Sequence, residues 1–353
     1  MKKLLILVVI AMLAVPLFAD EGVLIDFARL TADINVRVSE SDTSDAPNQN
    51  RQTLMDFSSA AGASFTPQQR RFMMSSLAIQ NWEVLLSSSS RTVQRVSLTY
   101  TKEAKSKEFD TVMGVRVSFP LEPYNAWALI KPPFDIPAYE NTNVSDDGTI
   151  EPMDDSDGIT TIKSRFEAKE DGEAAYGVIK NVGVIREVKV RAYGLNFPHG
   201  LTTILVDGMG LEKSMFMGFL EYDGWGELVW RNPAYMQEVR NRDIRIVPLY
   251  PFNTPFIKFA GFLIQRDAAK MGGDFVTYFK DVAIIYDLAV LESETDINDE
   301  AIWGIIQDRE EKRKNFEMER FGQHQVLRYI EEQKKATELP FRHPDREQES
   351  ASE

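Results

Sequence analysis

TVMGVRVSFP (residues 111–120) and VGVIREVKVRAYG (residues 182–194) are the two stretches on which the fold turns. In the first, Thr111, Met113, Val115, Val117 and Phe119 occupy every second position and Pro120 closes the run. Alternate residues of an extended chain point to one side, so these five share a face suited to burial. In the second, Val182, Val184, Val188, Val190 and Ala192 do the same, with Arg186 as the one exception and Gly194 as the end.

Outward from these two runs, further strand candidates are Trp82–Leu86, Val93–Tyr100, Thr203–Val206, Met215–Leu220, Glu227–Trp230, Ile244–Val247, Ile257–Leu263 and Thr277–Ile285. All are short and rich in Val, Ile, Thr and aromatics. Between them, Asp207-Gly208, Asp223-Gly224, Asn232-Pro233 and Gly272-Gly273 supply the residues that chain reversals need. Helical periodicity is almost absent there, so the crossover helices of a parallel sheet are missing. The expected fold is therefore all-β, an antiparallel β-sandwich of jelly-roll type over residues 20–291.

Two helices interrupt this pattern. Thr66-Pro67 reads as a cap followed by a first-turn proline, giving a short N-terminal helix towards Leu77. Residues 298–337 are rich in Glu, Lys, Arg and Gln without proline and read as a long C-terminal helix, with Gly322 a candidate break. Its apolar residues cluster at Ile302–Ile306 and again at Phe316–Ile330, so docking is expected at the ends and solvation in the middle. Residues 39–51 and 140–158 are acidic, poor in core formers and read as long loops, and 338–353 as a flexible tail.

The N-terminus runs Met1-Lys2-Lys3, then apolar from Leu4 to Leu17, then Ala19-Asp20. That basic, apolar, small order marks residues 1–19 as a signal peptide cleaved after Ala19. The apolar run is too short for a spanning segment, which takes roughly 20 residues, so no membrane insertion is expected. Zero cysteines exclude disulfides, thiolate metal sites and cysteine catalysis. Loss of Lys2 and Lys3 with the signal takes the formal charge from −14 to −16, a surface that repels nucleic acid and anionic lipid.

Candidate chemistry is sparse. Asp146, Asp147, Asp154, Asp155 and Asp157 invite a calcium reading, but their spacing from Gly148 and Gly158 does not fit the helix-loop-helix calcium pattern. Phe219, Tyr222, Trp225 and Trp230 around Asp223-Gly224 could form an aromatic platform for a sugar, or serve as core and interface. Glu221 and Asp223 could serve as a glycosidase pair only at the right carboxyl separation. His199, His324 and His343 are scattered, and no phosphate loop, dinucleotide fingerprint, nucleophile elbow or HExxH is present. These readings point away from an enzyme, and no cofactor is expected. The aromatic residues set among prolines in 132–137 and 250–256 either close the ends of a sandwich or meet a neighbouring subunit.

With these residues in view, the chain resembles the FlaA family of spirochaete periplasmic flagellar outer-layer proteins. The resemblance is carried by NWEVLLSSSSRT from Asn81, GVRVSFPLEPYNAWALIKPPFDIPAYE from Gly114, GVIREVKVRAYGLNFPHGL from Gly183, the long block from Met217 to Asp267 and GGDFVTYFKDVAIIYD from Gly272. It implies a periplasmic β-sandwich subunit that packs on a flagellin core beside other copies of the outer-layer protein, altering filament stiffness and shape and so motility. The family offers no catalytic residues. Contact residues expected for assembly are Phe134, Tyr250, Phe252 and Phe256 in the proline-rich loops, with Trp225 and Trp230 on the adjoining turn. A carbohydrate-binding β-sandwich module is the alternative reading.

Overall fold

The computed structural model describes residues 20–30, 53–57, 73–140, 142–144, 150–152, 164–167, 174–244, 250, 255–289, 297 and 299–337. The two diagnostic stretches become β6 (Asp110–Phe119) and β11 (Val182–Leu195), both in one sheet. That first sheet runs in the order β14 (Asp223–Arg231), β11, β16 (Gly273–Leu288), β6 and β5 (Tyr100–Ser106). The long β16 is its spine. It pairs with β11 on one side, and on the other with β6 and then with β1 (Asp20–Asp26). The second sheet runs β13 (Glu212–Phe219), β12 (Gly200–Asp207), β15 (Phe256–Arg266), β7 (Ala126–Lys131) and β4 (Glu83–Leu86), with β10 (Val178–Lys180) also on β15. All these ladders are antiparallel. The molecule is a β-sandwich, as the alternation predicts.

The inward rows of both sheets meet in one core. Met113, Val115, Val117 and Phe119 on β6, and Val188, Val190 and Ala192 on β11, are all buried. Phe262 of the second sheet stacks on Phe279 of the first at 4.3 Å between ring centroids, while Phe27 meets Trp82 edge-on at 5.4 Å. Each such ring contributes on the order of 2 kcal/mol by leaving water, which is why a cysteine-free chain of this size holds together. Arg186 keeps inward parity in the sequence, yet the β11–β16 register shifts between Ile185 and Glu187, and that bulge turns Arg186 outward.

Arg266 is buried and fastens the loops at one end of the sandwich. It donates to the carbonyls of Pro120 (2.8 Å), Glu122 (3.0 Å) and Lys270 (2.8 Å). Gly272 belongs to the same end: a Cβ there would sit 1.9 Å from the Pro120 carbonyl oxygen, so only glycine fits.

Several expectations need correction. Val93–Ser97 is a helix (α1), because Thr92 caps it by accepting from the Arg95 amide, and the strand begins only at Tyr100. Tyr235–Ile244 is also a helix (α2), where the apolar alternation had placed a strand from Ile244. Asn232 starts it by accepting from the Ala234 amide, and residues 245–247 lie outside the described residues. Asp223-Gly224 opens β14, paired with Leu195 and Gly194, and is no turn. Of the short helix expected from Thr66, residues 66–72 lie outside the described residues, and Met74–Ser76 (β3) is a strand paired with Leu54–Asp56 (β2). Within the acidic segment 140–158, Thr142–Val144 (β8) pairs with Ile150–Pro152 (β9). Residues 1–19, 39–51 and 338–353 lie outside the described residues.

The C-terminal helix breaks at Gly304 (φ +58°), which divides α3 (Asp299–Trp303) from α4 (Ile305–Thr337), and Gly322 lies within α4. Of the first apolar cluster, Ile306 docks on the core. Ile302 and Trp303 are exposed, whereas Ile306, Glu317, Met318 and Phe321 face the sandwich. The charged stretch stays close to the body because ion pairs hold it there. Asp135 bonds Lys258 (2.8 Å), its main-chain amide donates to Glu317, and Arg313 donates to its carbonyl.

Candidate functional site

The six residues expected at an assembly interface do not share a surface. Phe134 is 1% exposed and packs edge-on against Phe166 at 5.8 Å, so it is unavailable to a neighbour. Its proline-rich segment is folded beneath α4 through Asp135, which explains the burial. Phe256 is half-buried against Tyr139, and Tyr250 is half-buried against the core. Trp230 faces inward opposite Val188 and packs on the core. Trp225 lies on the outer side of the first sheet, edge-on to Phe109 (4.9 Å) and Tyr193 (5.3 Å). Phe252 lies outside the described residues.

The proposed sugar platform is likewise dispersed. Trp225 is on the outer side of one sheet, Trp230 points inward, and Phe219 lies over Gly200 on the outer side of the other sheet. Tyr222 turns its hydroxyl onto the Ala192 carbonyl, and burial pushes its pKa up to about 12. Glu221 and Asp223 are both exposed. Among the described residues no three His, Asp or Glu side chains lie close enough to hold a metal, and the acidic residues weighed for calcium fall outside the described residues.

His199 is the one histidine whose surroundings are described in full. It sits among Phe119 (4.9 Å), Phe197 (5.9 Å) and Phe275 (4.6 Å), and neither ring nitrogen has a hydrogen-bond partner among the described residues. Burial, assisted by the nearby Arg266 charge, lowers its pKa to about 4. A depression of about 260 Å³ lined by Pro198, His199 and Met271 lies beside it, smaller than the pockets that usually enclose a small-molecule ligand.

The two outer faces of the sandwich differ sharply in chemistry. Across the first sheet run ion pairs: Arg191 with Asp281 (3.2 Å), Lys189 with Glu21 (2.8 Å), Arg231 with Glu187 (3.2 Å) and Arg116 with Asp274 (3.1 Å). Desolvation raises the Asp281 pKa, opposed by the Arg191 charge. The second sheet shows two cross-strand rows without a charge. One is Phe216, Thr202, Leu263, Leu129 and Leu85, and the other is Phe219, Gly200, Gln265 and Trp127. Leu85, Trp127, Phe216 and Phe219 are 40%, 41%, 47% and 56% exposed. The reading from sequence missed this surface. The signal was present as apolar residues at outward parity, such as Phe216 between the inward Met215 and Met217.

Residues 46–295 match the family described as flagellar filament outer layer protein FlaA. The chain belongs to the FlaA family. A FlaA relative from Treponema pallidum, named flagellar filament outer layer protein, is 47% identical over 349 residues, covering 97% of this chain and 96% of its own. One of the same name from Spirochaeta aurantia is 41% identical, covering 92% and 90%. Another, from Borreliella burgdorferi, is 30% identical, covering 66% and 62%. Among solved structures, a β-sandwich carbohydrate-binding module matches with a TM-score of 0.29 at 10% identity, covering 58% of this chain and 57% of that one. A family 11 carbohydrate-binding module of Clostridium thermocellum matches at 0.26 and 8%, covering 61% and 91%. These two likenesses are too distant to bear on what the FlaA chain binds.

Proposed function

We propose that this chain is a structural subunit of the outer layer of a periplasmic flagellar filament. It packs on a flagellin core beside further copies of itself or close relatives, and so contributes to filament stiffness, shape and cell motility. The observation that carries this reading is the near full-length identity to proteins named for that layer, from Treponema pallidum and Spirochaeta aurantia. No reaction is part of the proposal. The carboxylates weighed for hydrolysis, Glu221 and Asp223, stand exposed beside the start of β14.

Export follows from the leader: cleavage after Ala19 leaves Asp20 as the first residue, and Asp20 is already paired in β1 with Tyr286 of the central strand. No helix among the described residues is long and apolar enough to cross a membrane. Lateral contact between copies requires two different patches that fit each other around a helical lattice. Trp225 beside Phe109 at the β14 edge, the half-buried Tyr250 and Phe256, and the end of α4 remain candidates for such patches.

The test is recovery from filaments. Filaments purified from cells carrying this chain should contain it in stoichiometric amount, with a mature mass beginning at Asp20. Recovery in the soluble periplasmic fraction alone, with bare filaments, would show the assignment to be wrong.

A further inference from the structure

The outer side of the second sheet is built as a contact surface, and the geometry points to its occupant: the uncharged, apolar protein surface of the filament core on which the layer lies. This inference rests on the function proposed above and deepens it by assigning which side of the molecule faces inward. Charged residues make up 27% of the chain, yet the nine outward positions of the two rows described above carry none. Solvated sheet faces normally alternate apolar inward with polar outward. Here Leu85, Leu129, Leu263, Trp127, Phe216 and Phe219 break that rule together, on four of the five adjacent strands, while β12 among them contributes Thr202 and Gly200. Scattered surface hydrophobes are ordinary, but a contiguous patch marks an interaction site.

The chemistry of the patch selects the partner. A charged partner would lose hydration against it and gain no counter-ion, so the fitting surface is itself uncharged. The opposite face, crossed by four ion pairs, suits water and becomes the outward side of the layer. The far end of the second sheet is already covered by this chain's own segment, since Asp135 reaches Lys258 and α4 holds Asp135. Leu85, Trp127, Phe216 and Phe219 stand exposed towards the ends of the two rows, with Thr202 buried between them.

Size separates a filament partner from a second copy. Five strands spaced about 4.8 Å apart and two rows deep give a patch of about 300 Å². A stable pair of proteins buries about 800 Å² on each partner, so two free copies gain too little to dimerise through this face. On a filament, neighbouring copies are held side by side, and many modest contacts act together.

Phe216→Glu and Leu85→Glu, made singly in the full mature chain, place a carboxylate in the patch at exposed positions. Glu227→Lys on the opposite face is the control. Each protein is mixed with filaments purified from cells lacking the chain and sedimented. Both patch variants should bind about tenfold more weakly or worse, with unchanged thermal unfolding, while Glu227→Lys binds as the parent does. Patch variants that bind normally while the parent also binds would overturn the face assignment and leave the function standing. A parent chain that fails to bind at all would overturn the function and the face together. Two other results would also overturn the inference: dimerisation of the free chain that Phe216→Glu abolishes, or retention on an immobilised oligosaccharide that Trp127→Ala abolishes.

Discussion

His199 shows how a single residue reports on the integrity of the core. Three phenylalanine rings surround it, and desolvation holds its pKa at about 4 against an ordinary 6.5. The unfolded chain therefore binds the proton first as pH falls. Above pH 6.5 both states are neutral and the group does not oppose folding. Between pH 6.5 and 4 the unfolded state is favoured progressively, and below pH 4 the effect levels off. From pH 7 to pH 5 this residue alone should remove about 2 kcal/mol of stability. Urea unfolding at the two pH values measures it. The His199→Leu variant should lose about 2 kcal/mol less than the parent over that interval, and equal losses would place His199 in contact with water.

At the scale of elements, the C-terminal helix is held by a junction that no periodicity encodes. Asp135 neutralises Lys258, which is almost fully buried, and lies 3.5 Å from Arg313 of α4. Asp135→Ala leaves the Lys258 ammonium without its partner and weakens the hold on α4. The expected cost is about 2 kcal/mol, moderated because the Asp135 carboxylate is partly in water. Calorimetry should show a fall in Tm of roughly 4–8 °C. Proteolysis should cleave α4 earlier than the sandwich, and simultaneous cleavage of both would argue that helix and sandwich unfold as one unit.

The strands were legible because Val182–Ala192 and Thr111–Phe119 alternate and one face of each is buried. The capped helices at Val93 and Tyr235 were not, since Thr92 and Asn232 act through local hydrogen bonds that override the β-branched pattern. The apolar patch was missed for a related reason: once Met215 and Met217 are assigned inward, attention leaves Phe216, whose neighbours Thr202 and Leu263 are far away in the chain. Cross-strand rows assemble residues that the linear sequence keeps apart.

For the whole molecule, the consequence of the fold is sidedness. One sheet presents an ion-paired surface and the other a two-row apolar patch bordered by Glu83 and Lys131, with the edges β13 and β14 together at one side and β4 and β5 at the other. A subunit so built can lie flat on a filament, keep its charged side to the solvent, and leave its edges for neighbours in the layer. Electron cryo-microscopy of filaments from cells with and without this chain tests that account most directly. It predicts that the chain adds a layer of density outside the core, that each unit fits a two-sheet sandwich with Trp127 and Phe216 towards the core, and that the layer disappears with the chain. Filaments of identical diameter and density in the two strains would contradict it.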